Sequence, residues 1–155
     1  MKQALSIPLK QQLLSICLQK VEEQIEQLET ELKSLGESAA SDTKSSMGDK
    51  YETSREMINL EKGKIAGQLA NATKMRSFLK GIDAGKTLST CEMGALVQTN
   101  QGFYLLAAAI GQVTVEGVNC FVISPGSPIG QQLMGKAAGD TFKLGPREIE
   151  LVAVV

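Results

Sequence analysis

Apolar residues at Leu14, Leu18, Val21, Ile25, Leu28, Leu32 and Leu35 recur at spacings that alternate four and three. A strict repeat of that kind keeps one apolar stripe turned toward a partner helix, so it predicts a coiled-coil strand rather than a helix buried on all sides. The predicted helix covers residues 8–35, with Ser6 as N-cap and Pro8 in the first turn, and runs roughly 40 Å at ~1.5 Å per residue. A small, polar stretch follows. Beyond it Met47, Tyr51, Ser54, Ile58, Ile65, Ala72, Met75 and Leu79 fit the same repeat with weaker knobs, and Glu61 and Gln68 fall on the seam. The two stretches predict an antiparallel helical hairpin over residues 1–81, folded from one chain, with its tip at about residues 36–50. In the second helix, residues 49–80, Gly63 and Gly67 either mark a close approach of the first helix or weaken the second by about 1 kcal/mol each.

Past Gly81 the period shortens. Gly81, Ile82, Asp83, Ala84 and Gly85 supply a stop and a hinge. Strands are predicted over 94–99, 103–110, 112–115, 119–123, 141–144 and 148–155, with turns at Asn100-Gln101-Gly102 and Glu116-Gly117. Residues 130–135 leave room for one short helix. The predicted fold class is therefore α+β: an N-terminal antiparallel coiled-coil hairpin, then a small antiparallel sheet with one helix across it, over residues 82–155.

Charge sharpens the hairpin. Glu22, Glu23, Glu26, Glu29, Glu31 and Glu37 dominate the first helix, and Lys50, Arg55, Lys62, Lys64, Lys74, Arg76 and Lys80 the second, which predicts opposite faces that select pairing and orientation. An intramolecular hairpin in turn predicts a monomer. The formal net charge of −1 gives no global attraction to nucleic acid, and the mildly acidic stretch from residue 82 onward speaks against direct DNA binding. Cys17, Cys91 and Cys120 are far apart, and the chain has no histidine, which excludes the usual zinc spacings and imidazole-based catalysis. No run is apolar and long enough to span a bilayer, and residues 1–10 lack the apolar core of a secretion signal, so the expected location is the cytoplasm, away from membranes.

The predicted tip brings Glu37, Asp42, Asp49 and Glu52 together on a solvated turn. Such carboxylates suit Mg²⁺, which takes one or two from a protein and fills its remaining positions with water or substrate oxygens. Composition alone makes the segment an ordinary polar turn.

Residues 122–154, VISPGSPIGQQLMGKAAGDTFKLGPREIELVAV, resemble the C-terminal domain of the Gre transcript-cleavage factors. The matching residues are Ser127, Pro128, Ile129, Gly130, Leu133, Gly135, Lys136, Gly139 and Asp140. The order of parts is similar too, a coiled coil followed by a small domain of FKBP-like fold. Tyr51, Arg55 and Glu56, with Glu61, Gly63, Lys64 and Ile65, add a weaker match. The resemblance implies that the C-terminal domain binds RNA polymerase beside its secondary channel and that the hairpin enters the channel. Contact with nucleic acid would then be indirect, inside the elongation complex. Ser124, Pro125, Gly126, Ser127 and Pro128 would lie in the contact, with Ile129 and Gly130 at the following helix start; Arg55, Lys62 and Lys64 would face the channel wall.

Cleaving Gre factors carry an Asp and a Glu seven and four positions before the tyrosine, which help hold the second catalytic Mg²⁺. Counted back from Tyr51, those positions are Lys44 and Met47, neither of which suits that metal. Asp42 and Asp49 each stand two residues off, and a two-residue shift at the tip would restore one carboxylate but not obviously the pair. No cofactor of its own is implied, only Mg²⁺ shared with the polymerase. The expected activity is that of a channel-binding factor, with or without assistance to transcript cleavage, and not of an enzyme. Two other readings stay open, an FKBP-like prolyl isomerase and a coiled-coil dimerisation scaffold.

Overall fold

The computed structural model describes residues 5–42 and 48–155, and the side chains of 38–42 and 48–51 lie outside that description. By internal contacts the chain divides into two units, Lys20–Arg76 and a second made of Met1–Gln19 with Ser77–Val155. Both long helices contribute to each unit.

Helix α1 spans Ile7–Asp42. Ser6 caps it: the Leu9 amide donates to Ser6 Oγ at 3.3 Å, and the Lys10 amide to the Ser6 carbonyl at 3.1 Å. It continues past Gly36, where composition suggested its end, because one glycine costs only about 1 kcal/mol and no proline follows to break it. Helix α2 spans Gly48–Lys80 and runs antiparallel to α1, ending as the Gly81 amide bonds back to the Ser77 carbonyl at 3.1 Å.

Within Lys20–Arg76 the buried seam is Val21, Ile25 and Leu28 from α1 with Ile65 and Ala72 from α2. The α2 side of that seam departs from the expected register. Glu61 and Gln68 are exposed, while Lys62 and Leu69 are half-buried in their place. Ser54, Ile58, Lys62, Ile65, Leu69 and Ala72 turn inward, and toward the C-terminal end of α2 Thr73, the expected Met75 and Arg76 are all half-buried. The spacing from Ser54 opens four, four, three, an eleven-residue step that a helix of 3.6 residues per turn follows more closely than a seven-residue one. The shift puts a carboxylate and an amide in water and lays the aliphatic stem of Lys62 along the seam. Gly63 and Gly67 mark no close approach, since a Cβ added at either would meet nothing within 4 Å.

In the second unit, and among the described residues, six strands form one sheet in the order β3-β4-β2-β1-β6-β5. They are β1 (Leu96–Thr99), β2 (Gly102–Leu106), β3 (Gly111–Val115), β4 (Val118–Ile123), β5 (Thr141–Leu144) and β6 (Arg147–Val154). The sheet is mixed, not wholly antiparallel: β2 and β4 pair in parallel, Tyr104 opposite Phe121. The cause lies after Leu106, where the expected long strand over 103–110 is cut short. The Ala107 amide bonds to the Ile123 carbonyl, the Ile110 amide turns back to the Ala108 carbonyl, and Gly111 takes φ 99°. That corner carries the chain past β4 to the sheet edge. The two-residue turn at Glu116 (φ 48°) and Gly117 (φ 81°) then returns it as β4, beside and parallel to β2.

One face of the sheet packs a core of Val97, Leu106, Ile149 and Leu151 with Leu88, Cys91, Ala95, Phe142 and Leu133. Leu133 belongs to α3 (Pro128–Leu133), which starts two residues earlier than the sequence suggested because Ser127 and Pro128 set its first turn. The other face presents Leu96, Leu105, Cys120 and Val122, all buried. The root of α1 covers it with Leu9, Leu13 and Cys17, and Cys17 lies near enough to Cys120 to act on its thiol, which burial pushes up to about 12. Lys10 is fully buried on the same root, and its Nζ donates to the Lys86 carbonyl at 2.8 Å, fixing the connector after α2 to α1. Burial lowers the Lys10 pKa, opposed by the carboxylates of Asp83 and Glu92. Among the described residues, no helix is long and apolar enough to cross a membrane.

Candidate partner-binding site

The residues singled out at 124–130 form the short loop between β4 and α3 together with the first turn of α3, and the segment bonds to itself at almost every step. The Ser124 carbonyl accepts from the Ser127 amide at 3.1 Å and from Ser127 Oγ at 2.7 Å. Ser127 Oγ in turn accepts from the Gly130 amide at 3.1 Å, as an N-cap should. Gln131 closes the loop from outside, donating Nε2 to the Gly126 carbonyl at 3.1 Å. Pro125 and Pro128 restrict the backbone between these bonds, Pro128 in the first turn of α3. Little freedom remains to be lost on docking, which lowers the entropic cost of binding through this loop.

Exposure sorts the seven residues. Gly126 and Pro128 are exposed, and Ser124, Pro125 and Ser127 are half-buried. Ile129 packs against the core of the sheet. Gly130 is buried, and a Cβ there would collide with the Ser124 carbonyl and lie 2.8 Å from Ser127 Oγ. Gly130 thus shapes the loop from beneath, and the face available to a partner is made by the residues before it.

The other residues matched in this stretch also have local tasks. Leu133 is wholly buried in the core. Gly135 and Gly139 take φ 82° and 95°, conformations that L side chains rarely adopt. The Lys136 carbonyl accepts from the Cys91 amide at 2.8 Å, and Asp140 Oδ2 accepts from the Ala137 amide at the same distance. Burial raises the Cys91 thiol to about 11, so it is a packed apolar group rather than a nucleophile.

On α2 the three basic residues do not share a face. Arg55 and Lys62 are seven apart and lie nearly in line, whereas Lys64 is about 160° around the helix from Lys62. Arg55 and Lys64 are exposed; Lys62 is half-buried in the seam. The side chains of Asp42 and Asp49 lie outside the described residues, as do Lys44 and Met47 entirely. Among the described residues, no three acidic, cysteine or histidine side chains gather into a metal-holding group.

Sequence reasoning gave Tyr104 and Phe121 no partner-binding role. Their rings stack at 5.9 Å between centroids and 29° between planes, and Phe121 is 43% exposed. The alternation of buried and exposed residues along β4 was the signal, because it turns Cys120 and Val122 inward and Phe121 out.

No family description matches the chain, and no curated protein matches it either. Among solved structures, it is similar to the transcription factor Gfh1 at 20% sequence identity, over 88% of this chain and 92% of that one, with a TM-score of 0.38.

Proposed function

We propose that this chain is a Gre-like regulator of transcription elongation that binds RNA polymerase at its secondary channel. The part of the protein that carries the sheet docks on the channel rim through residues 124–130, and the α1–α2 pair enters the channel. One observation carries the proposal: the residues that resemble the Gre C-terminal domain, Ser127, Pro128, Gly130, Leu133, Gly135, Gly139 and Asp140, together build one self-bonded loop and the helix and turn behind it. That loop stands in a chain with the matching order of parts, two long helices followed by a small sheet.

The chain acts as a binding factor and performs no chemistry alone. Where cleaving members carry acids it has Lys44 and Met47, so channel occupancy without cleavage is the favoured activity, with Mg²⁺ belonging to the polymerase.

The test is addition of the purified protein to a stalled, backtracked elongation complex in Mg²⁺. Association without transcript shortening is the expected result. Shortening that disappears in Asp42→Ala or Asp49→Ala would assign a cleavage role to those carboxylates, and no association would remove the proposed function.

A further inference from the structure

The sheet has two outer strands, β3 and β5. An outer strand leaves a row of N–H and C=O groups ready for another strand, and proteins blunt such edges with lysine, proline or bulges. β5 is blunted, being four residues long and carrying the exposed Lys143. β3, Gly111–Val115, has no charge and no proline, and its register with β4 runs unbroken from Gly111 opposite Val122 to Val115 opposite Val118. Among the described residues no strand lies on its other side. Val113 and Val115 turn inward, 1% and 7% exposed, while Gln112 and Thr114 are exposed. The root of α1 beside this edge is equally neutral: residues 11–19 include no charge, and Lys10 before them is buried. An open groove of about 570 Å³ lies there, lined by Pro8, Gln11, Gln12, Ser15 and Ile16 of α1 and by Val115 of β3.

We infer that β3 pairs antiparallel with β3 of a second copy of this chain, across a two-fold axis at Val113, and joins two six-stranded sheets into one. The backbone of an open edge selects an extended strand as its occupant. Charge selects the copy. An isologous contact needs a surface that tolerates itself. Pairing about Val113 sets Gln112 against Thr114 and Gly111 against Val115, all uncharged, and puts each Glu116 opposite Ile110, away from its counterpart. Two β5 edges brought together would instead set Lys143 near Lys143, which is unfavourable. A two-fold axis normal to the sheet keeps inner sides together, so Val113 and Val115 of both copies share one apolar seam and the two grooves adjoin. Nucleic acid and anionic lipid do not fit, because both need Lys or Arg to meet phosphate. The helical pair stays within one chain; its seam calls for no second copy, whereas the sheet edge does.

The inference stands apart from the polymerase function, because its test uses the protein alone. Sedimentation equilibrium of the full chain over roughly 1 to 500 μM should show a reversible exchange of monomer and dimer. Gln112→Lys, at an exposed position, brings each new charge diagonal to its counterpart across the axis. It should raise the dimer Kd about tenfold, since symmetry applies the change twice. Adding Thr114→Glu to Gln112→Lys sets opposite charges face to face at both pairs and should restore the wild-type Kd. Thermal unfolding at the lowest concentration should be the same for all three chains. If a variant fails to fold, hydrogen exchange of the wild type decides: Gly111–Val115 should exchange more slowly at the highest concentration than at the lowest. A wild-type mass of one chain throughout, a dimer indifferent to Gln112→Lys, or no recovery in the double variant overturns the inference. So does exchange at β3 that ignores concentration.

Discussion

The sheet-bearing unit and the helix pair are built on opposite economies. The sheet is packed on both faces, and its core alone joins nine buried residues from loops, strands and α3. The helix pair within Lys20–Arg76 buries Val21, Ile25 and Leu28 against a second strand that offers Ile65 and Ala72, with Lys62 half-buried between better knobs. Apolar burial is worth about 25 cal/mol per Å², so the sheet unit is expected to hold most of the fold's stability and the helix pair to open more readily. Charge divides the same way. The exposed faces of the helices carry Glu22, Glu26, Glu29, Arg55, Lys64 and Lys74, whereas between residues 93 and 135 the sheet-bearing unit carries a single charged residue, Glu116.

The largest effect that sharpens this contrast is expected from Leu133→Ala. Leu133 is 0% exposed at the centre of the core, and its truncation should cost about 3 to 4 kcal/mol in urea unfolding. Ile65→Ala should cost less, about 2 to 3 kcal/mol, and in hydrogen exchange the loss of protection should stay within the helix pair. Loss of protection in β1, β2 and β6 as well would show that the two units unfold together and erase the distinction. Gly130→Ala should cost about 2 kcal/mol through its collision with the Ser124 carbonyl, and it should speed exchange at the amides of Ser127 and Gln131. Smallest and opposite in sign, Gly63→Ala and Gly67→Ala should each stabilise α2 by about 1 kcal/mol in thermal unfolding, because an added Cβ meets open space. A destabilising result at either glycine would mean a close helix contact after all.

Much of this contrast is legible in the residues. The α1 seam reads directly from its leucines, because seven apolar residues in strict alternation fit no other period. The strand boundaries around Glu116-Gly117 and 141–144 follow from turn residues and alternation. The parallel pairing of β2 with β4 is not legible, since it depends on a corner at 107–111 made by the Ala107 bond to Ile123, the Ile110 bond to Ala108 and the positive φ of Gly111. The α2 register is hidden for a different reason: small and polar seam residues leave two frames nearly equal, and the cost of burying Glu61 decides between them. Lys10 escapes any count of apolar positions, yet it is among the most buried side chains of α1. In the loop, Ser127 and Pro128 announce a helix start, but the tight contact that demands Gly130 appears only once Ser124 has been folded over it.

Hydrogen–deuterium exchange of the full chain with and without its cognate RNA polymerase core tests the central claim most directly. Docking through the sheet-bearing unit predicts slowed exchange through residues 124–130 relative to the free chain. Protection confined to residues 20–76, or no change anywhere, would contradict it.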